Sequence, residues 1–198
     1  MNLLNKNEEN IEVAIASIRK SFTLEKFPLN LIGEIEHLVK GSAEFNIENI
    51  KAIEWRVIVS NNGAGQIYSE LEALVQWWRK EGITPIYATS LQRLKNGKSE
   101  PTIVMKFSCA SFWEINQVQQ GGGMFGDDLP DIASKRISDW RDDVYFSWPL
   151  RFLVLSTYDG DGGTAIAGPS ELIDIILDAS KHNLEDDNIS WQEILWKI

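Results

Sequence analysis

The sequence predicts an α+β fold, in which a single domain of residues 1–198 has a largely antiparallel sheet flanked by helices. Three observations predict it. Apolar residues recur at helical spacing in some segments and alternate with polar residues in others, in the order α-α-β-α-β-β-α-β-β-α-α. Turn sequences separate consecutive strands, which is typical of antiparallel hairpins. A hydrophobic fraction of 43% is enough for a core.

The N-terminal segment, residues 1–45, is predicted to be a helical hairpin that precedes a sheet-containing core over residues 50–198. The first helix covers residues 8–21. Its apolar stripe consists of Ile11, Ala14, Ile15, Ile18 and Phe22. The second helix begins at Pro28, which suits the first helical position, and Gly41 is suited to end it. We expect a brief loop between the two helices.

A strand, a glycine-containing loop and a helix follow in the central part of the chain. Residues 53–60 alternate as a strand, residues 61–65 form the loop, and Gly82 is suited to end the helix. The buried face of this helix is predicted to consist of Ile67, Leu71, Leu74, Val75 and Trp78. This order of elements is able to hold a phosphate group at the helix N-terminus. The third glycine of a dinucleotide-binding loop is replaced by Tyr68, however, so a tight turn also explains the pattern.

Two strands with a turn between them are predicted at residues 85–91 and 102–113. The turn contains the pair Asn96-Gly97, which favours a hairpin. Cys109 lies on the apolar side of the second strand, and we expect its thiol to be buried and inert.

The C-terminal half continues with further elements of both kinds. They are a helix at 131–144, strands at 144–148 and 150–158, a turn at 159–163, a strand at 164–167, a helix after Pro169, and a short terminal helix at 190–198 that a capping box introduces. The turn contains Asp159 and Asp161, but glycine and glutamate are missing where a calcium-binding loop needs them. We therefore interpret it as a hairpin turn.

The negative charge of the chain is unevenly distributed. The net charge is −10, yet residues 1–99 hold 12 Lys and Arg against 12 Asp and Glu, whereas residues 100–198 hold 7 against 17. From Asp127 onward there are twelve Asp and three Glu, and this change follows the glycine-rich stretch 121–131. An acidic surface repels phosphate backbones and attracts basic proteins. The sequence therefore predicts a basic protein partner and disfavours nucleic acid.

Seven residues are the candidates for partner binding. Asp127, Asp128, Asp131, Asp139, Asp142 and Asp143 lie in the acidic region, and Trp77 cannot share a helix face with Trp78, so it is a candidate for an exposed aromatic anchor. The acidic face is predicted to extend over residues 127–143 and 185–187. Shared protonation or Mg²⁺ binding by the first three aspartates is an open alternative to helix capping and solvated loop charge.

Signatures of common catalytic sites are missing from the sequence, including nucleophile elbows, zinc-binding helices and phosphate-binding loops. Two His and one Cys leave little for metal binding or His-based chemistry. We therefore assign no catalytic residue, cofactor or metal ligand. A single Cys suits a reducing compartment, and no apolar stretch approaches the roughly 18 residues that span a bilayer. We expect a cytoplasmic protein that does not bind membranes.

The leading hypothesis is a non-catalytic interaction protein that presents its acidic surface to a basic protein, for example an immunity-type inhibitor of a toxin. The alternative is a small-ligand- or metal-binding enzyme that uses the glycine-containing loops at 61–65 and 121–131. A third hypothesis is a structural subunit of an assembly, which predicts an obligate oligomer.

Overall fold

The computed structural model describes residues 22–27, 29–41, 44–60, 68–90, 102–112, 142–157, 163–181 and 191–194. The helices are α1 (Leu29–Leu38), α2 (Ile47–Ala52), α3 (Tyr68–Lys80) and α4 (Ser170–Lys181), with a short 3-10 helix at Cys109–Ser111. The strands are β1 (Phe22–Phe27), β2 (Val39–Gly41), β3 (Glu44–Phe45), β4 (Arg56–Ser60), β5 (Ile86–Ser90), β6 (Thr102–Phe107), β7 (Asp142–Ser147), β8 (Leu153–Thr157), β9 (Thr164–Gly168) and β10 (Trp191–Glu193).

The centre of the fold is an eight-stranded sheet with the order β1-β6-β5-β7-β8-β9-β4-β10. Every neighbouring pair in it is antiparallel. A small second sheet pairs β2 with β3. The predicted α+β class with an antiparallel sheet and flanking helices is confirmed.

One face of the large sheet is covered by α3 and α4. Alternate residues of the strands point to this face, because successive side chains of a strand lie on opposite sides. Together with the two helices they form the first core, whose largest fully buried side chains include Trp78, Phe112 and Phe152. Trp78 packs edge-on against Phe112, with 5.1 Å between ring centroids. The hydrophobic stripe predicted for α3 is therefore the contact surface of this layer.

The other face of the sheet is covered by α1, α2 and the β2–β3 hairpin. The remaining alternate strand residues meet Ile32, Ile35 and Ile50 there and form the second core. Asn46 caps α2, since its side-chain oxygen accepts a hydrogen bond from the backbone N–H of Asn49 at 3.4 Å. The sheet thus lies between two layers of helices, and most side chains on each of its faces are buried.

Two glycines provide a matched pair of stability measurements. Gly82 follows α3 with a φ of 62°, a conformation that L-residues adopt at a cost, so Gly82→Ala is expected to lower the free energy of unfolding by about 1 kcal/mol. Gly33 lies within α1, and an added Cβ would meet nothing within 4 Å, so Gly33→Ala should raise it by about 0.5–1 kcal/mol. Urea unfolding of both variants measures the two values. Effects of the same sign would contradict this assignment.

The N-terminal part of the fold differs from the helical hairpin that the sequence predicts. The second helix is present as α1, and the helix at 8–21 lies outside the described residues. The expected brief loop is wrong, because the segment between them contains β1, which pairs with β6. Phe22, predicted on the helical stripe, lies opposite Phe107 in this strand pair. Burial against the sheet outweighs the helical spacing at this residue.

Two other predictions of helix are wrong. The terminal helix predicted from the capping box at residues 190–193 is wrong over residues 191–193, which form β10 and pair with β4, and residues 195–198 lie outside the described residues. Asp142 and Asp143, placed on the helix at 131–144, are the first residues of β7. In both places hydrogen bonding to a neighbouring strand replaces the local helical preference. Within the described part of the chain, no helix is long and apolar enough to cross a membrane.

Candidate binding site at one end of the sheet

All eight strands of the large sheet have one end on the same side. Because all neighbours are antiparallel, β1, β4, β5 and β8 end where β6, β7, β9 and β10 begin. The pairing register places one residue of each of six strands in a single row across this end: Trp191, Ser60, Thr164, Ser156, Asp143 and Ser90. We call these six residues the polar row.

The polar row differs sharply in chemistry from the parallel row two residues further into the sheet. Apart from Glu193 of β10 at the sheet edge, that inner row is apolar and consists of Ile58, Ile166, Val154, Tyr145, Ala88 and Met105, all members of the first core. In the polar row, Ser60, Thr164 and Ser156 are also buried, with exposed fractions of 4% or less. Burying a hydroxyl is costly unless it forms a hydrogen bond. The row is therefore a polar site inside a largely apolar layer.

Among the described residues the hydroxyl of Ser156 has no hydrogen-bond partner, although Ser156 is only 1% exposed. A hydroxyl in this state costs about 1–3 kcal/mol of folding free energy. Ser156 and Thr164 also line a cavity between α3 and the sheet, whose volume of about 10 Å³ admits roughly one water molecule. The cavity is lined mainly by apolar side chains, and the described residues leave little preformed space here.

A buried carboxylate lies beside the polar row. Glu70 is in the first turn of α3, which begins at this end of the sheet, and its exposed fraction is 0%. Its Oε1 accepts a hydrogen bond of 3.2 Å from Nε1 of Trp191. The helix dipole favours a negative charge in the first turn. Glu70 therefore connects α3 to the last strand of the sheet.

The chain segments that join the sheet at this end carry much of the negative charge of the protein. The start of β7 and the connections 158–162 and 182–190 hold seven carboxylates and no Lys or Arg. These residues are Asp142, Asp143, Asp159, Asp161, Glu185, Asp186 and Asp187. The connection 91–101 between β5 and β6 instead carries Arg93, Lys95 and Lys98 with one acid, Glu100. The topology alone brings the attachment points of these acidic connections to one end of the fold.

The structure locates only three of the seven predicted partner-binding residues. Asp127, Asp128, Asp131 and Asp139 lie outside the described residues. Asp142 and Asp143 begin β7, opposite Thr157 and Ser156 of β8. The backbones of these two aspartates are therefore fixed at the acidic end of the sheet.

Trp77 is buried, so the prediction of an exposed aromatic anchor is wrong. Its exposed fraction is 2%, its ring packs edge-on against Phe152 at a centroid distance of 6.5 Å, and the guanidinium of Arg151 lies 5.9 Å from the ring centroid. The helix α3 contacts α4 as well as the sheet, so its buried surface is wider than one stripe. Adjacent residues of a helix differ by about 100° in direction, and two neighbouring elements cover both tryptophans.

Sequence reasoning missed the ion-pair network around Arg56 in β4. Its Nε and Nη2 donate to the two carboxylate oxygens of Glu193 at 2.6 and 2.8 Å, and its Nη1 donates to Asp174 of α4 at 2.6 Å. These hydrogen bonds to Glu193, opposed by partial burial and reinforced by Asp174, raise the pKa of the guanidinium further. Arg56 thus fastens β10 and α4 to the sheet. The only signal in the sequence was an arginine on the polar side of a predicted strand.

Cys109 is buried, as predicted, at the start of the 3-10 helix instead of within the strand. Its Sγ donates to the backbone oxygen of Val75 at 3.3 Å. Burial raises the pKa of the thiol, and the nearby positive charge of Arg79 only partly opposes this. The thiol is therefore held in its unreactive form.

No family model, curated protein or solved structure matches the chain. Among the described residues, no group of three His, Cys, Asp or Glu side chains is placed to hold a metal ion. The function is therefore argued from the arrangement of the strand ends and the charges attached to them.

Proposed function

We propose that the protein binds a basic protein partner through the acidic connections at one end of its sheet, without catalysing a reaction. The observation that carries this proposal is the common attachment of the start of β7 and the connections 158–162 and 182–190, which hold seven carboxylates and no Lys or Arg. These carboxylates outnumber the three basic residues that the connection 91–101 attaches at the same end, and we expect them to act together as one surface. A surface of this sign selects a basic partner.

The electrostatic argument also predicts how binding depends on salt. Complementary charges increase the rate of encounter, and ions screen them over roughly 8 Å at physiological ionic strength. The partner is therefore expected to associate rapidly at low salt and more slowly as salt rises. An immunity-type inhibitor of a basic toxin in the cytoplasm belongs to this class, and the single buried thiol of Cys109 suits that compartment.

Charge reversal at the acidic end is the direct test. The partner is first captured at low salt on the immobilised full chain. A triple variant, Asp142→Lys, Asp161→Lys and Asp187→Lys, changes one carboxylate at each of the three places where they attach. It should slow association by about tenfold or more and flatten the dependence of the rate on salt. Stopped-flow or surface-based kinetics measures both quantities.

A matched control makes the same change of charge elsewhere. Glu34, Glu48 and Glu54 are exposed and belong to the part of the chain that contains α1 and α2, not to the acidic connections. Their replacement by Lys alters the net charge equally but should leave most of the association rate intact. Equal loss in both triple variants would mean that only net charge matters and would remove the proposal of a localised surface.

A second candidate function is binding of a small polar ligand by the glycine-containing segments 61–65 and 121–131. The observation in its favour is the polar row, because the first segment directly follows Ser60, the second belongs to the connection 113–141 that leads into β7, and Ser156 lies between these two strand ends. Three strand spacings, about 14 Å, separate Ser60 from Asp143 in this row. A thermal-shift panel of nucleotides, Mg²⁺ and Ca²⁺ tests this idea, since a ligand at 100 times its Kd adds about 2.7 kcal/mol. Stabilisation of the wild type that Ser156→Ala reduces would support it.

A further inference from the structure

The last strand, β10, is held in the sheet by side chains at both of its ends. Trp191 Nε1 donates to the buried carboxylate of Glu70, and Glu193 receives the paired hydrogen bonds of Arg56. One residue later the backbone N–H of Ile194 donates to the carbonyl of Val57 at 3.0 Å. We call the groups that hold β10, which are Glu70, Arg56 and the edge of β4, the β10 cradle.

The β10 cradle recognises a specific pattern. Residues two apart in a strand point to the same side, so Trp191 and Glu193 meet the cradle from one face. Glu70 repels a carboxylate but accepts a hydrogen bond from an indole N–H. The planar guanidinium of Arg56 forms a bidentate pair with a carboxylate. The cradle therefore fits an extended segment with an aromatic hydrogen-bond donor followed two residues later by a carboxylate.

We propose that the β10 cradle exchanges its occupant between molecules, and that the second occupant is β10 of another copy of this chain. Nine residues, 182–190, connect α4 to β10, and they span roughly 30 Å when extended. The helix α4 packs on β4, the neighbour of β10, across a layer spacing on the order of 10 Å. The connection is thus long enough to place β10 on a neighbouring molecule.

Exchange of this kind reproduces each cradle contact and needs no new surface. Exchange competes with the binding of β10 to the cradle of its own chain. Because β10 is attached to that chain, its effective concentration there is about millimolar. The net charge of −10 on each copy adds repulsion that salt screens. Exchange should therefore increase with protein concentration and with salt, whereas binding to a basic partner should weaken with salt.

The test uses the full chain carrying Trp191→Ala and Glu193→Gln, which leaves the cradle without its preferred occupant. A fluorescent peptide of residues 188–198 should bind this variant, and a peptide with Glu193→Gln should bind at least tenfold more weakly. If the variant fails to fold, the same two peptides are titrated into the wild-type chain, whose own strand competes but does not alter the order of the two affinities. Fluorescence anisotropy gives both affinities.

The proposal is overturned if neither peptide binds or if the two bind equally. A second measurement uses the wild type alone. Two differently tagged copies mixed at high concentration and about 0.5 M salt, where the screening length is only a few ångströms, should form a mixed dimer in light scattering and pull-down. Absence of mixed dimer under these conditions also contradicts exchange. The two proposals can be told apart by salt, because exchange should increase with salt whereas binding of a basic partner should weaken with it.

Discussion

Replacement of Trp78 by Ala is expected to lower the free energy of unfolding by about 3–5 kcal/mol, because it opens a large cavity in the first core. Trp78 is 0% exposed and lies between the rings of Phe112 and Phe152, with centroid distances of 5.1 and 4.8 Å. The total stability of a domain is commonly about 5–15 kcal/mol, so this change removes a large part of it. Guanidinium unfolding followed by circular dichroism measures the difference.

The control for this variant is Gln76→Ala on the same helix. Gln76 is exposed, and alanine has the higher helix propensity, so this change should leave the stability nearly unaltered. A loss below about 1 kcal/mol for Trp78→Ala would mean that the tryptophan does not fill the core as described.

Removal of Arg56 is the second change with a large expected effect. Arg56→Met should lower the free energy of unfolding by about 2 kcal/mol, because three charge-assisted hydrogen bonds are lost and the half-buried carboxylate of Glu193 is left without its cation. The loss should be local. Hydrogen exchange of β10 should accelerate more than that of β8 in the centre of the sheet, because β10 lies at the sheet edge and depends on Arg56.

An exposed ion pair supplies the control for Arg56. Lys80 bridges α3 to Glu171 of α4 at 2.7 Å, but both side chains are more than half exposed. Exposed pairs contribute little to stability, so Lys80→Met should leave the unfolding transition unchanged within error. If both variants behave alike, the network around Arg56 is another solvent-screened pair and does not hold β10.

Local sequence signals predicted the elements whose neighbours only reinforce the local preference. The apolar stripe and terminal Gly82 of α3, the Pro169 that precedes α4, and the alternating residues of β4 each lead to the observed element. The hairpins β5–β6 and β8–β9 also follow from their turn sequences. In these segments the spacing of apolar residues predicts the same helix or strand that tertiary packing buries. Local preference and packing therefore favour the same structure.

Local sequence patterns did not predict the strands at the two edges of the sheet. Both β1 and β10 are strands because each has a sheet edge beside it, at β6 and β4. Their sequences carry helical signals, a stripe ending at Phe22 and a capping box at residues 190–193. A short segment has a small local preference, and pairing with one strand, with Phe22 and Trp191 partly buried against the first core, outweighs it.

The polar row shows the same limit for the candidate site. Ser60, Ser156 and Thr164 belong to three different strands, and nothing in the spacing of these common Ser and Thr residues marks them. They become a row only when the register of each strand pair is fixed. Glu70 joins them because α3 begins beside that end of the sheet, and its partner Trp191 is 121 residues away in the chain.

The sequence by itself determined the α+β class, the antiparallel pairing of the central hairpins and the concentration of negative charge in the C-terminal half. These properties depend on composition and on the spacing of apolar residues over a few positions, which can be recognised in the sequence directly. Only the tertiary structure decided that Trp77 is buried, that Asp142 and Asp143 begin a strand, and that the acidic connections attach at one end of the sheet. The order and register of the strands depend on contacts between distant parts of the chain, which no local sequence pattern encodes.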